Sequence, residues 1–328
     1  ARQFLEIDDK KSLYLQDFLA VFSARFMGEG YLRLEEIMAS ILTGKQSVFL
    51  KEFHIKDPQE KIIRATFQAM TDDKQRHHVM GVLITLWDVT FENQMDRMKT
   101  EFISIVSHEL RTPLTIIQEA ISIILDGLYG PINEHQLKLL SMSKANVQRL
   151  HRLISDMLDI SRIQADKVTL KKTHFDVCEL SESVIKEFEL QSIRRKIKLK
   201  WTIKNKEKEP LMVLADQDKI HQVLTNLIQN SLKFTPDGGR ITLELASKKK
   251  WVSIIVKDTG MGIPKEDIPK LFSKFEQLSQ LSKSKPEGTG LGLAICKGLI
   301  ELHHGKIWID SEFGKGTKVT FTLPKDQV

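Results

Sequence analysis

The sequence predicts a multidomain chain in which a long helical hairpin joins an N-terminal segment to a C-terminal α/β domain. Its length of 328 residues favours two or three domains over one. Apolar residues recur with a heptad period from about residue 91 to beyond residue 150, which is typical of helices that pair along a seam. From Thr173 onward, helical periodicity alternates with short strand-like segments, the pattern of an α/β layered fold.

The net charge of +6 raises the question of an acidic partner such as nucleic acid. The excess of Lys and Arg is concentrated at residues 194–208 and 248–250. Within the first run, Ile197, Leu199 and Trp201 alternate with lysines, which indicates a strand with one solvated face. We therefore predict no nucleic-acid partner.

Cysteine content and hydropathy bound the location of the chain. Cys178 and Cys296 lie far apart without metal-ligand spacing, which indicates neither a disulfide framework nor a metal site and fits a reducing cytoplasm. No run of 18 apolar residues is present. We expect a cytoplasmic protein, either soluble or the cytoplasmic portion of a sensor whose only membrane contact is an upstream anchor absent from this chain.

The N-terminal ninety residues contain one clear strand pattern, residues 79–87. Asp88-Val89-Thr90 follows it and leads into the first long helix. Three histidines of this segment lack the spacing of a haem or metal site, so surface positions are the better interpretation: His54, His77 and His78.

The first long helix has apolar residues at alternating intervals of three and four, a seam made of Ile103, Val106, Leu110, Pro113, Ile117, Ala120 and Ile124. An upstream stripe is offset by one residue and indicates either a wider apolar face or a joint that transmits rotation: Phe91, Met95, Met98, Phe102 and Ile105. Pro113 permits two interpretations, a helix start capped by Thr112 or one helix bent at the proline. The seam continues through residue 113, which favours one helix.

A second helix is predicted after Gly127, Gly130 and Pro131. It keeps the same period at Leu140, Val147, Leu150, Ile154 and Met157. Two amphipathic helices joined by a short loop cannot cover their own apolar stripe. We therefore expect two chains to pair into a four-helix bundle, a homodimer.

His108 lies between Val106 and Leu110, off the seam, so its ring is expected to project into solvent. Glu109 places a carboxylate beside it that is able to accept a proton. An exposed imidazole next to a carboxylate is a candidate nucleophile, although alone such a pair is more often an ordinary solvated surface.

The C-terminal part is predicted to contain helices over 176–195, 217–234 and 291–303. Its predicted strands are 196–203, 211–215, 240–247, 251–258, 305–311 and 317–323. Asn226 and Asn230 share one face of the second helix, where amide oxygens suit a magnesium ion that also holds phosphates.

Three glycine-containing clusters accompany this asparagine pair. Asp258-Thr-Gly-Met-Gly262 stands at a strand end, where an acceptor and bare backbone suit a purine. Gly288-Thr-Gly-Leu-Gly-Leu293 leads into a helix, whose N-terminus and close backbone approach favour phosphate. The third cluster, residues 314–317, opens the final strand.

These clusters follow the octapeptide Ser107-His108-Glu109-Leu110-Arg111-Thr112-Pro113-Leu114, which resembles the phosphoacceptor box of sensor histidine kinases. In this order and spacing, residues 98–325 resemble the phosphoacceptor and catalytic domains of that family. The resemblance implies a helical hairpin that dimerises to a four-helix bundle, an α/β sandwich of the Bergerat fold for ATP binding, and the cofactors ATP and Mg²⁺.

The resemblance also implies roles for the matching residues. His108 would receive the phosphoryl group, Glu109 would take a ring proton, and Thr112 would orient water against a phosphorylated partner. Asn230 would bind magnesium, and Asp258 would accept a hydrogen bond from the adenine amine. The other residues implied in ATP binding are Asn226, Lys233, Phe234, Gly260, Gly262, Gly288, Thr289, Gly290, Leu291, Gly292, Leu293 and Thr317. The implied ATP lid is residues 263–287, with the aromatic residues Phe272 and Phe275.

Asp88-Val89-Thr90 resembles the end of a PAS sensory domain, which implies an α+β PAS-like fold upstream. The predicted domains are therefore a PAS-like sensor at 1–90, a coiled-coil linker and dimerisation hairpin at 91–166, and a catalytic ATP-binding domain at 167–328.

The expected function is autophosphorylation of His108 from Mg-ATP, transfer to an aspartate of a response-regulator receiver domain, and phosphatase activity on that regulator. Two alternatives are a nucleotide-binding scaffold without phosphotransfer and a chaperone-like or topoisomerase-like ATPase. The scaffold requires a damaged phosphoacceptor box, which the sequence does not have. The ATPases carry Glu at the position of Asn226, and an amide cannot accept a proton from water as a carboxylate does.

Overall fold

The fold is taken from a computed structural model, which describes residues 37, 39–43, 48–55, 61–72, 78–165, 167–204, 210–247, 250–274, 276 and 289–325. The chain forms two compact units, Ala1–Lys99 and Thr100–Val328. Among the residues so described, no helix has the length and apolarity needed to cross a bilayer.

The first unit contains a three-stranded antiparallel sheet in the order β1-β2-β3. The strands are β1 Val48–Ile55, β2 Lys61–Asp72 and β3 His78–Asp88. Its core is one sheet face with helical residues packed against it: Ile37, Ile41, Phe53, Ile63, Ala65 and Phe67. The predicted strand at 79–87 is confirmed, and His54 is exposed as expected. His77 and the side chain of His78 lie outside the described residues.

Hydrogen bonds at Asp88-Val89-Thr90 join the end of β3 to the next helix. Asp88 Oδ1 accepts from the backbone N of Thr90 at 3.0 Å and from its Oγ1 at 2.5 Å. Thr90 Oγ1 in turn accepts from Ile62 N at 2.9 Å. The bond from Thr90 is the main cause that holds the pKa of Asp88 below its ordinary value. Asp88-Val89-Thr90 therefore both ends β3 and fixes the start of the helix that follows.

The hairpin consists of α1 Thr90–Leu125 and α2 Glu134–Gln164. Pro113 lies inside α1, so the prediction of one helix is confirmed and the alternative of a helix start at Pro113 is wrong. Asn133 caps α2 by accepting from Gln136 N at 2.8 Å, while the Gln136 side chain accepts from Asn133 N at 2.9 Å. This reciprocal capping box fixes where α2 begins.

The predicted seam of α1 is not the face that packs inside the hairpin. Ser107 and Ile121 of α1 are buried, as are Val147 and Leu158 of α2. The apolar seam residues remain exposed by 36 to 46%: Val106, Leu110, Ile117 and Ile124. The upstream stripe at Phe91–Ile105 is exposed as well. One chain therefore leaves an apolar face of α1 uncovered.

The remainder of the second unit is an α/β arrangement. A five-stranded sheet has the order β5-β7-β8-β10-β9, with β5 and β7 parallel and the other neighbours antiparallel. Its strands are β5 Lys198–Ile203, β7 Arg240–Ser247, β8 Trp251–Asp258, β9 Ile307–Glu312 and β10 Gly316–Pro324. A two-stranded sheet pairs β4 Thr173–Asp176 with β6 Met212–Ala215.

Three helices share one apolar core with this sheet: α3 Val177–Arg194, α4 Gln217–Phe234 and α5 Gly292–Leu302. All three helices and six of the strands match the predicted segments to within two residues at each end. The exception is β4, which was not predicted because four residues with a single buried side chain give no alternating pattern. Cys296 packs in the core, and burial raises the pKa of its thiol to about 12.

A buried histidine ties α4 to α5. His303, at the C-terminal cap of α5, accepts at Nε2 from the backbone N of Asp216 at 2.9 Å. Its Nδ1 lies 2.8 Å from Leu299 O, so Nδ1 donates and the ring is neutral. Burial lowers the pKa of His303, because the charged ring would lose its solvent.

Acidification is expected to destabilise the second unit through His303. The unfolded chain takes up this proton near the ordinary pKa of about 6.5, whereas the folded state resists it. The stability that neutral His303 contributes is therefore fully present above about pH 6.5 and is lost as the pH falls toward the lower pKa of the folded state. Because a single proton is involved, the free energy of unfolding changes by at most about 1.4 kcal/mol per pH unit. Urea unfolding between about pH 7.5 and 5.5 should give a shallower dependence for His303→Gln than for the wild type. If the free energy of unfolding depended equally on pH in the variant and the wild type, His303 would not be the cause of the acid sensitivity.

Candidate nucleotide site

The centre of the site is the carboxylate of Asp258 at the end of β8, which is only 6% exposed. Its Oδ1 accepts from Gly260 N at 2.8 Å and from Thr317 N at 3.1 Å, and its Oδ2 accepts from Ser231 Oγ at 3.3 Å. Burial raises the pKa of Asp258, while the three donors oppose that rise. Oδ2 has only one long bond, so it keeps capacity to accept from a ligand.

Glycines around Asp258 allow neighbouring backbone segments, and at Gly260 the carboxylate itself, to approach closely. A Cβ at Gly260 would lie 2.7 Å from Phe234 O and 2.8 Å from Asp258 Oδ1. Gly262 has φ +67°, and a Cβ there would lie 2.0 Å from Glu312 O. Gly316 has φ +114°, with Asp258 O 2.2 Å from its Cβ position. The loop after β8 and the turn before β10 therefore meet around one carboxylate.

Helix α4 lines the site with the predicted asparagines. Asn226 and Asn230 are both half-buried and lie on the same helix face. The amide of Asn226 lies 3.8 Å from the Cβ position of Gly292, at the start of α5. One turn beyond Asn230, Lys233 Nζ lies 4.9 Å from the centre of the Phe234 ring, and both side chains are exposed. The asparagine face is therefore adjacent to the loop that precedes α5.

Arg195 holds the C-terminal end of α4, a role that the sequence did not indicate because this residue belongs to a basic run interpreted as solvated surface. Its guanidinium donates to the carbonyls of Leu232 and Thr235, the latter at 3.1 Å. It also donates to Asp237 Oδ1 at 3.1 Å. These bonds satisfy carbonyl groups that a helix end leaves without partners. Two serines of the site were also assigned no role from the sequence. Ser231 donates to Asp258. Ser311 Oγ accepts from Ile263 N at 2.9 Å and lies 3.0 Å from Thr317 Oγ1.

The glycine loop before α5 is described from Thr289 onward, and Gly288 lies outside the described residues. Gly290 has φ +70°, a conformation that favours glycine. Thr289 Oγ1 accepts from Leu291 N at 3.1 Å and donates to Asp156 Oδ2 at 2.9 Å. Leu291 is buried and Leu293 packs against the core. The glycines Gly290 and Gly292 thus stand at a helix N-terminus, where backbone N–H groups favour anions.

Only part of the predicted lid is described. A short 3-10 helix covers Ile268–Lys270, and Phe272 packs against the core with Lys297 Nζ 5.8 Å from its ring centre. Phe275 and residues 277–287 lie outside the described residues. The assignment of Phe272 and Phe275 as the aromatic residues of the lid therefore stays a prediction.

The phosphoacceptor candidates lie on α1. His108 and Glu109 both have side chains that are 78% exposed, with His108 Nδ1 3.9 Å from Glu109 Oε1. Thr112, one turn on, is also exposed. The predicted outward projection of His108 is confirmed, and its neighbour Ser107 is the residue that faces inward.

The donors of the cleft fit ATP and magnesium. A buried acceptor beside bare backbone suits the adenine amine, and the helix N-terminus suits phosphates. Mg²⁺ keeps several waters and takes phosphate oxygens together with one or two protein oxygens, and the side-chain amide of Asn230 has an oxygen of this kind. Among the described residues, no group of three or more His, Cys, Asp or Glu offers a competing metal site.

Family models match both parts of the second unit. Residues 98–166 match the His Kinase A (phospho-acceptor) domain, and residues 215–327 match the histidine kinase-, DNA gyrase B-, and HSP90-like ATPase. The first match contains His108, and the second contains the Asp258 cleft. The chain belongs to the sensor histidine kinases of two-component systems.

Characterised relatives agree with this family. The sensor histidine kinase WalK of Bacillus subtilis is 34% identical over 287 residues, which are 86% of this chain and 45% of WalK. The sensor protein SrrB of Staphylococcus aureus is 33% identical over 75% of this chain and 42% of SrrB. The chain thus spans less than half the length of these relatives. The structure of full-length ShkA in complex with AMPPNP shares the fold, with a TM-score of 0.59 and 24% identity over 70% of this chain and 46% of ShkA.

A methyl group at Gly260 is expected to close the purine cleft. In Gly260→Ala the new Cβ would press against Phe234 O and Asp258 Oδ1, at a cost of about 2 kcal/mol for overpacking. Titration with AMP-PNP should show at least a tenfold loss of affinity. Gly81→Ala is the control, because no atom lies within 4 Å of its Cβ position. Unchanged affinity in Gly260→Ala would place the nucleotide elsewhere.

Proposed function

We propose that the chain is the kinase part of a sensor histidine kinase, which transfers the γ-phosphoryl group of ATP to His108. The observation that carries the proposal is the combination in one unit of an exposed imidazole beside a carboxylate with a buried carboxylate, Asp258, held among glycines at the end of β8. The matches to the phospho-acceptor model and to the histidine kinase-, DNA gyrase B-, and HSP90-like ATPase model support it.

In this proposal the cleft positions the nucleotide. The free lone pair of Asp258 Oδ2 accepts a hydrogen bond from the adenine amine, and Gly260, Gly262 and Thr317 surround the base. Thr289, Gly290, Leu291 and the residues that follow bring backbone N–H groups to the phosphates. Lys233 contacts phosphate, and Phe234 lines the nucleotide pocket. Asn230, with Asn226 beside it, would hold a magnesium ion, which would supply positive charge to neutralise the phosphates.

The transfer step uses the outer nitrogen of His108. Nδ1 is the ring nitrogen that lies near Glu109, which leaves Nε2 as the nucleophile. Nε2 forms a bond to the γ-phosphorus while the bond from that phosphorus to the ADP oxygen breaks, and ADP leaves. The Nδ1 proton passes to Glu109, after a small side-chain rotation from 3.9 Å to hydrogen-bond distance, so the phosphorylated ring is neutral.

The uncovered face of α1 supports a homodimer. Val106, Leu110, Ile117 and Ile124 repeat along one side of a long helix and are exposed in the single chain. A second hairpin would cover this stripe and complete a four-helix bundle.

We further propose that phospho-His108 passes its phosphoryl group to an aspartate of a response-regulator receiver domain. Glu109 and Thr112 are exposed one turn apart beside His108, on a helix surface open to such a partner. Thr112 then orients water for phosphatase action on the phosphorylated regulator. Pro113 cannot donate a hydrogen bond to Glu109 O, which loosens the helix beside the transfer site.

A PAS-like sensor is proposed for residues 1–90, followed by a linker and hairpin to 166 and the catalytic domain from 167. The antiparallel sheet and the tight Asp88-Val89-Thr90 connection to α1 support the sensor assignment.

Incubation with γ-labelled ATP tests the reaction. The label is expected on protein, stable in alkali and lost in acid, and it should vanish in His108→Gln. His135→Gln, at an exposed position of α2, should retain it. A scaffold would take up no label, and an ATPase would release free phosphate from ATP without labelling the chain. Either result would refute the kinase proposal.

Charge on the uncovered seam is expected to dissociate the dimer. Ile117→Glu with Ile124→Glu would bury two carboxylates per chain in the paired bundle, which is unfavourable by several kcal/mol. Light scattering after size exclusion should change from the mass of two chains to that of one. Glu119→Lys, exposed and off the seam, is the matched control. A monomeric wild type would contradict the pairing.

A further inference from the structure

Helix α2 docks on the ATP-binding half through one face near its C-terminal end. Ile160 and Ile163 pack with the core of that half. On the same face, Asp159 Oδ2 accepts from Gln222 Nε2 at 2.6 Å, and Lys219 Nζ lies 3.8 Å from Asp159 Oδ1. The phosphoacceptor hairpin and the start of α4 are therefore joined by apolar and polar contacts within one unit.

Gly298 shows how close this docking is. A Cβ at position 298 of α5 would lie 2.6 Å from Ile163 Cγ2. The absence of a side chain there lets α2 approach α5 directly. Because α5 begins at the phosphate loop, a movement of α2 relative to α5 is also a movement relative to that loop.

Asp156 lies one turn before Ile160 and contacts the loop itself. Its Oδ2 accepts from Thr289 Oγ1 at 2.9 Å, while that same oxygen accepts from Leu291 N at 3.1 Å. The carboxylate of Asp156 therefore already accepts a hydrogen bond from the Thr289 hydroxyl. Thr289 stands at the start of the loop to which the proposed function assigns the triphosphate.

The surroundings of Asp156 already disfavour a negative charge. Partial burial is the main cause that raises the pKa of its carboxyl, and the neighbouring Asp159 adds to the rise. The Thr289 hydroxyl and the more distant Arg152 oppose it. A nucleotide bound in the loop would bring further negative charge to the same place, and like charges in partly buried surroundings repel strongly.

We propose that Asp156 is a positioning residue that opposes nucleotide binding while α2 is docked. Its carboxylate engages the Thr289 hydroxyl and repels the phosphates, so docking on α2 and binding of ATP are linked negatively. The inference rests on the proposed function, because it assumes phosphates in the Thr289–Leu291 loop. Linkage is reciprocal, so ATP weakens the docked contact by the factor by which docking weakens ATP binding. Nucleotide entry thereby frees the catalytic half to move toward His108.

Calorimetric titration of the full chain with Mg·AMP-PNP and, separately, with adenosine tests this linkage. Asp156→Asn keeps an oxygen that accepts from Thr289 but removes the charge. The expected result is a three- to tenfold gain in affinity for AMP-PNP and no change for adenosine, which carries no phosphate. Asp156→Ala should gain at least as much. Asp126→Asn, an exposed change of the same charge at the end of α1, should gain nothing.

An unchanged or weaker affinity of Asp156→Asn for AMP-PNP would overturn the inference. An equal gain for adenosine would also overturn it, because the residue would then act on the fold of the cleft and not on phosphate. Asn230→Ala distinguishes a failure of the inference about Asp156 from a failure of the proposed function. If the wild type binds AMP-PNP and Asn230→Ala binds it more weakly, a null result at Asp156 refutes the inference alone. If the wild type binds no AMP-PNP, the proposed function and the inference both fail.

Discussion

The buried carboxylate of Asp258 is the interaction on which the nucleotide-binding half depends. A charge taken out of water is costly unless donors surround it, and here they come from three separate elements. Ser231 belongs to α4, Gly260 to the loop after β8, and Thr317 to β10. The same requirement explains Gly260, because a Cβ there would lie 2.8 Å from Asp258 Oδ1. One charge thus fixes the relative positions of the elements that form the cleft, and its remaining lone pair gives the cleft a preference for a donor.

Most of the fold follows from periodicity in the sequence. The heptad pattern of α1 and α2 extends over many turns, so neither a proline nor a glycine loop obscures it. The strands of the five-stranded sheet are bounded by turns, and each has enough apolar residues to be recognised as a strand from the sequence. Three things escaped this reasoning. The strands β1 and β2 of the first unit were not predicted, since only residues 79–87 showed a clear strand pattern there. The strand β4 is too short to show alternation, and the pattern gives the phase of an apolar face without saying which partner covers it. Hence α1 packs within its own hairpin through Ser107 and Ile121, beside the predicted seam.

Site residues could be predicted from the sequence where they belong to a motif whose members are close together in the chain. Asp258 with its glycines and the Asn226–Asn230 pair are of this kind, because neighbours in sequence or one helix turn apart are neighbours in space. Arg195 and Asp156 are different. Each acts on a group far away in the chain, Arg195 on the end of α4 and Asp156 on Thr289, and only the folded chain brings them together. Long-range polar contacts of single side chains leave no periodic signal.

The most direct test of the role of Asp258 is the affinity of the wild-type chain for ATP compared with purine riboside triphosphate, which lacks only the exocyclic amine. A hydrogen bond to a charged acceptor contributes about 1.5 to 3 kcal/mol, so the account predicts that ATP binds about 10- to 100-fold more tightly. Equal affinity for the two nucleotides would show that Asp258 does not recognise the base.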